Sequence, residues 1–208
     1  MRKITINLAA VAAFCIVVAS PALVSSSCAT PKTEQEDTTI IREDSGITAL
    51  KYSSPEVPAS IEFCGKTIDL SRFDRHERMD RELLAFTYMH STSLQMLKKA
   101  NRYFPIVEPI LKENGIPDDF KYLMVIESNM NPTARSSAGA AGLWQFMQGT
   151  GRDYGLEVNN NVDERYHIEK ATRAACRYLK DLYGIYEDWT LALAAYNCGP
   201  GNVNKAIK

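Results

Sequence analysis

The sequence predicts a mainly α-helical domain behind an export signal and a polar tether. Three observations carry that prediction. Apolar residues recur at helical spacing from about His76 onward, at Met79, Leu83 and Phe86 and again at Leu94 and Leu97. Apolar stripes bounded by Pro, Gly and Asn punctuation follow, and alternation suited to strands is confined to Ile61–Phe73. Before that, residues 29–60 are rich in Thr, Ser, Glu, Asp and Pro and poor in aromatics.

The 208 residues are 45% hydrophobic and 24% charged, an ordinary globular composition that excludes disorder as the main state. The 24 Lys and Arg against 25 Asp and Glu leave a formal charge of −1. No basic excess exists to neutralise phosphates, so nucleic acid is not an expected partner.

Arg2 and Lys3 precede an apolar run from Leu8 to Ala19. Its length fits the ~7–15 residues of a signal-peptide core. It falls short of the ~20 needed to span a membrane. The expected organisation is a signal peptide over 1–27, a tether and lead-in over 28–75, and a helical domain over 76–208. Ser25-Ser26-Ser27-Cys28 suggests a lipoprotein junction with Cys28 lipidated, although Leu23 and Val24 stand five and four positions before it rather than three. The alternative is ordinary cleavage near Ser27. Either way the expected location is the periplasm, with a membrane anchor in the first case.

Of the five cysteines, Cys15 leaves with the signal. Cys176 and Cys198 lie in small-residue helical runs and read as packing cysteines. No C-x-x-C metal spacing occurs.

The elements follow in order. Ile61–Phe73 reads as a short strand pair or an ordered lead-in. Met79 to Leu97 suits one long helix or two shorter ones, and Pro105 and Pro109 punctuate a helix ending near Asn114-Gly115. Pro117-Asp118-Asp119 opens a helix running from Phe120 to about Ser128. A Ser/Gly/Ala loop spans Ser136–Gly142, and a short helix is expected over Leu143–Tyr154. Two further helices are expected over Ile168–Tyr183 and Trp189–Asn197, and a last one starts at Asn202.

Phe120, Leu123, Met124 and Glu127 share one helical stripe, and Tyr122, Val125 and Ile126 make the remaining surface apolar. A carboxyl at the last turn of a buried helix loses hydration and meets the negative end of the helix dipole. Both raise its pKa toward the range of a general acid. A structural Glu127 salt-bridged to Arg135 is an equal reading of the stripe. In Gly139–Met147, Gln145 can donate and accept hydrogen bonds and Trp144 offers a flat apolar face, a pairing suited to sugars. A helix-packing loop with a core tryptophan is the alternative. Tyr196 and Asn197 bring polar groups to a helix end, as cleft residues or as a core anchor and a cap.

Glu127-Ser128, Ala134-Arg135-Ser136, Gly139-Ala140-Ala141-Gly142-Leu143-Trp144-Gln145-Phe146-Met147 and Ala194-Ala195-Tyr196-Asn197-Cys198-Gly199-Pro200-Gly201, in this order, resemble the soluble-lytic-transglycosylase domain. Trp144–Met147 and Thr150–Leu156 resemble its membrane-bound lytic transglycosylase D type. The similarity covers residues 76–208. It implies a lysozyme-like helical fold and cleavage of peptidoglycan glycan strands between N-acetylmuramic acid and N-acetylglucosamine. Glu127 takes the family's acid/base position, and Ser136, Gln145, Tyr196 and Asn197 fall at its cleft residues. The resemblance implies a 1,6-anhydro product and no cofactor. Goose-type lysozymes, which add water, share the fold and the Glu, and a binder that does not cut is the third reading. Two departures stand out. His167-Ile168 replace the family's usual Asp-Pro. The family domain also continues with more helices and a further Tyr, so this domain reads as C-terminally incomplete. Asp163, Glu164 and Glu169 read as solvated charges.

Overall fold

The computed structural model describes residues 55–208. The expected signal peptide, Cys28 and most of the tether lie outside these residues. The described chain runs as a β-hairpin followed by seven α-helices and two 3₁₀ turns, so the mainly α class is the one found.

The alternation at Ile61–Phe73 forms the strand pair. β1 (Ser60–Phe63) pairs antiparallel with β2 (Lys66–Asp69), Ile61 opposite Ile68. Ile61 and Phe63 are buried while Ser60 and Glu62 face water, as a one-sided strand requires. Helix α1 (Phe73–Tyr88) covers the hairpin through Met79 and Leu83, which cluster with Ile61 and Leu70. Phe63 instead enters the main core, where its ring meets Phe120, and Phe120 in turn meets Trp189 edge-on at 5.2 Å.

Helix α2 (His90–Glu113) is separate from α1 and runs through both Pro105 and Pro109. Neither proline ends it. Both are exposed, so the carbonyls they leave unpaired lie on the water side. The opposite face anchors the helix through Tyr103, Phe104, Val107, Ile110 and Leu111. The end is a Schellman turn. Gly115 sits at φ 65° and donates to Lys112 O, and Ile116 donates to Leu111 O. Ile116 and Leu111 are both buried, which supplies the apolar contact of that motif.

The expected helix over Phe120–Ser128 is divided. Asp118–Tyr122 winds as 3₁₀, and α3 (Leu123–Ser128) follows, closed by Asn129 in a left-handed conformation. The helix expected from Leu143 forms only as α4 (Gln148–Asp153). Leu143–Phe146 is a tight turn instead, tied by paired backbone bonds between Ala141 and Phe146. α5 (Ile168–Tyr186) buries Ala171, Ala174, Ala175 and Cys176, small residues that let neighbouring helices approach closely. α6 (Trp189–Cys198) is capped by Asp188, and α7 begins at Pro200 rather than Asn202 and runs to Ile207. Proline at the first helical position lacks only an N–H that has no helical partner anyway. Cys176 is fully buried, as expected of a packing cysteine, but Cys198 is exposed at the end of α6. Among the described residues no helix is long and apolar enough to cross a membrane.

Candidate active site

Helix α3 buries Leu123 and Met124 in the main core. That anchoring leaves Glu127, one turn on, partly buried at the core's edge. Its carboxyl pKa is pushed up to about 7, with loss of hydration as the dominant cause. Opposing that rise, Asn197 Nδ2 donates to Glu127 Oε1 at 3.5 Å, a long bond that favours the ionised form. The salt bridge to Arg135 does not form. Among the described residues Glu127 has no ion pair, and the charge of Arg135 bears on Asp163 instead.

Ser128 joins α3 to the glycine-rich loop. Its hydroxyl lies 3.0 Å from Met124 O and 2.9 Å from Leu143 O. Tyr196, from α6, donates its phenol hydrogen to Trp144 O at 2.8 Å. The phenol pKa rises well above its ordinary value, first through burial and then through the nearby charge of Glu127. Loop and α6 therefore touch each other and both touch α3's last turn.

The five sequence-predicted site residues within the described chain divide into two groups. Glu127, Tyr196 and Asn197 come together. Ser136 and Gln145 brace the loop. Ser136 Oγ accepts from Ala140 N at 3.0 Å, while the Gln145 amide donates to Gly142 O at 2.8 Å and Ala134 O at 3.3 Å. Both amide hydrogens of Gln145 are thereby engaged, so its oxygen is the group available to a ligand. Gln145 sits at φ 49°, an uncommon conformation for a non-glycine residue that its own hydrogen bonds hold in place. Trp144 is not a sugar platform. It is fully buried, with Nε1 donating to Thr172 Oγ1 at 2.9 Å.

The acidic residues after the loop are not all solvated charges. Asp163 pairs with the buried Arg165, which lowers the Asp163 pKa, and Glu164 pairs with Lys170. Glu169 is exposed, as expected. His167 caps α5 by accepting from Lys170 N at 3.5 Å, the task an Asp performs in such a position. Among the described residues, no group of His, Cys, Asp and Glu is arranged to hold a metal ion.

Arg165 is the residue that sequence reasoning missed. It lies in a polar stretch with no periodicity to report burial, yet it is only 6% exposed. Nothing but the Asp163-x-Arg165 charge pair hinted at it.

A family model described as the transglycosylase SLT domain matches residues 105–208. The chain belongs to that family. The match begins inside α2 and takes in Glu127, the glycine-rich loop and α6. The chain is 36% identical over 133 residues to membrane-bound lytic murein transglycosylase D of Escherichia coli strain K12, covering 64% of this chain and 28% of that protein. It is 32% identical over 123 residues to membrane-bound lytic murein transglycosylase C of Haemophilus ducreyi, covering 52% and 34%. Among solved structures, an inactive mutant of lytic transglycosylase Slt from Pseudomonas aeruginosa superposes with a TM-score of 0.48 at 22% identity, covering 65% of this chain and 22% of that one. The chain thus spans between about a fifth and a third of the length of these relatives.

Proposed function

We propose that the protein is a peptidoglycan lytic transglycosylase that cleaves the β-1,4 bond from N-acetylmuramic acid to N-acetylglucosamine and leaves 1,6-anhydro ends. The observation that carries this reading is a single desolvated carboxyl, Glu127, with its pKa at about 7, on a chain of the SLT family. Near neutral pH such a group is present in both forms, as one residue serving as acid and then base requires.

In this mechanism the protonated Glu127 gives its proton to the departing glucosamine O4 as the C1–O4 bond breaks. The N-acetyl group of the muramic residue supports the positive centre, so no second carboxylate is needed. The muramic O6 then attacks C1 and passes its proton to the Glu127 carboxylate, which restores the acid. Holding O6 against C1 gives it a proximity advantage over water. Asn197 orients the carboxylate, and Tyr196, Ser136 and Gln145 line the sugar site. The names of the relatives support murein as the substrate and a membrane-associated location, and the Leu8–Ala19 signal supports export. Anchoring through a lipidated Cys28 belongs to the same reading. Cys28→Ala is expected to release the protein from membranes, and an unchanged membrane fraction would overturn the lipid anchor.

The test is product analysis on purified sacculi in heavy-oxygen water. Anhydro ends without label support the transglycosylase. Labelled reducing ends indicate a lysozyme-like hydrolase. Binding to sacculi without any product indicates a binder that does not cut.

A further inference from the structure

Arg165 concentrates more contacts on the glycine-rich loop than the reaction chemistry accounts for. Its Nη1 donates to Gly139 O at 2.8 Å and to Phe146 O at 3.0 Å, the two ends of the loop. Its Nε and Nη2 donate to the two oxygens of Asp163 at 2.9 and 2.7 Å, a bidentate pair that neutralises the buried guanidinium. Its own carbonyl lies against Gly142, where a Cβ would come within 1.9 Å. Between the loop's two ends lie Leu143 O, which faces the Ser128 hydroxyl, and Trp144 O, which accepts from Tyr196.

We propose that Arg165, oriented by Asp163, is a positioning residue that clamps the Gly139–Phe146 loop and so fixes the carbonyls that set Ser128 and Tyr196 beside Glu127. This rests on the reading of Glu127 as the acid/base. The guanidinium is suited to the task because its planar fork reaches a carboxylate and two carbonyls together. An ammonium is a point charge on a flexible stem and cannot span them. Misplacement by about 1 Å at a reacting centre can cost ~10²-fold in rate.

The test compares the full chain with Arg165→Lys and Asp163→Asn. Amide hydrogen exchange over residues 139–146 is expected to rise at least ~10-fold in both, while α5 exchanges as before. On soluble glycan strands kcat is expected to fall ~10- to 100-fold, with KM changing much less. The limb that reports Glu127 should move to lower pH as water reaches it. Among the groups next to Glu127, neither the Asn197 amide nor the neutral Tyr196 phenol titrates in this range. Unchanged loop exchange in the folded variants overturns the clamp. So does exchange that rises uniformly across the domain, which is the mark of general destabilisation. Should Arg165→Lys fail to fold, Asp163→Asn, which keeps the guanidinium, decides by the same two exchange patterns. A wild-type chain without lytic activity refutes the acid/base reading, and the exchange pattern still decides whether the loop is clamped.

Discussion

Asn197 and Glu127 stand 70 positions apart in sequence, yet the Asn197 amide reaches the Glu127 carboxylate at 3.5 Å. Burial raises the pKa of that carboxyl, and this bond lowers it. Replacing Asn197 with Ala therefore removes the opposing influence. The basic limb of the kcat/KM profile is expected to move to higher pH, with a smaller maximum. A limb that stays in place or moves down would show that Asn197 does not touch the ionised form in solution.

Glu127→Gln keeps shape and hydrogen-bonding capacity but cannot transfer a proton. Loss of general acid/base catalysis should lower turnover by at least ~10²–10⁴-fold while the helical circular dichroism stays unchanged. Glu169→Gln, on the exposed face of α5, should retain wild-type turnover.

The same substitution has a signed effect on stability. The folded Glu127 holds its proton up to about 7, whereas an unfolded glutamate releases it near ~4.3. Between those values the native state binds more protons, so this residue's contribution falls as pH rises and levels off above 7. Glu127→Gln removes that loss. It should be more stable than wild type at pH 8, by at most ~4 kcal/mol for a shift of this size, with little gain at pH 4. Denaturant titrations at the two pH values check this, and an equal difference at both would refute it.

Gly142 at φ 79° has the Arg165 carbonyl where a side chain would begin. Gly142→Ala combines a left-handed strain of ~1–3 kcal/mol with a backbone clash that no rotamer relieves. Destabilisation of roughly 3 kcal/mol or more is expected by thermal or chemical denaturation. Gly149→Ala, where a Cβ meets nothing within 4 Å, is the control.

Asp188 ties the hairpin to the helix that carries Tyr196 and Asn197. It pairs with Lys66 at 2.6 Å and caps α6 through Thr190 N at 2.7 Å. These partners, Lys66 first, lower its pKa to about 2. Its contribution is complete above an unfolded value near ~3.9 and is lost as pH falls toward 2. Asp188→Ala should cost about 0.5–2 kcal/mol at pH 7, the usual range for a lost cap. The difference from wild type should shrink in acid.

By itself the sequence determined the helical class, the stripe that ends in Glu127 and the order of motifs that places the chain in its family. Those features are local. Periodicity reports which face of an element is apolar, and motif residues stand next to one another in the chain. Tertiary structure alone decided the rest. The prolines at 105 and 109 sit inside α2 because the packed opposite face outweighs two missing hydrogen bonds. Trp144 lies in the core because Thr172, 28 positions away, satisfies its N–H. The Gln145 amide is held by the carbonyls of Gly142, within the loop, and Ala134, just before it. Arg165 is buried because Asp163 and two loop carbonyls replace the water it gives up. In each case the partner is supplied by packing or by a turn rather than by a repeating pattern. Desolvation of a polar group then depends on what surrounds it in three dimensions, which spacing along the chain does not encode.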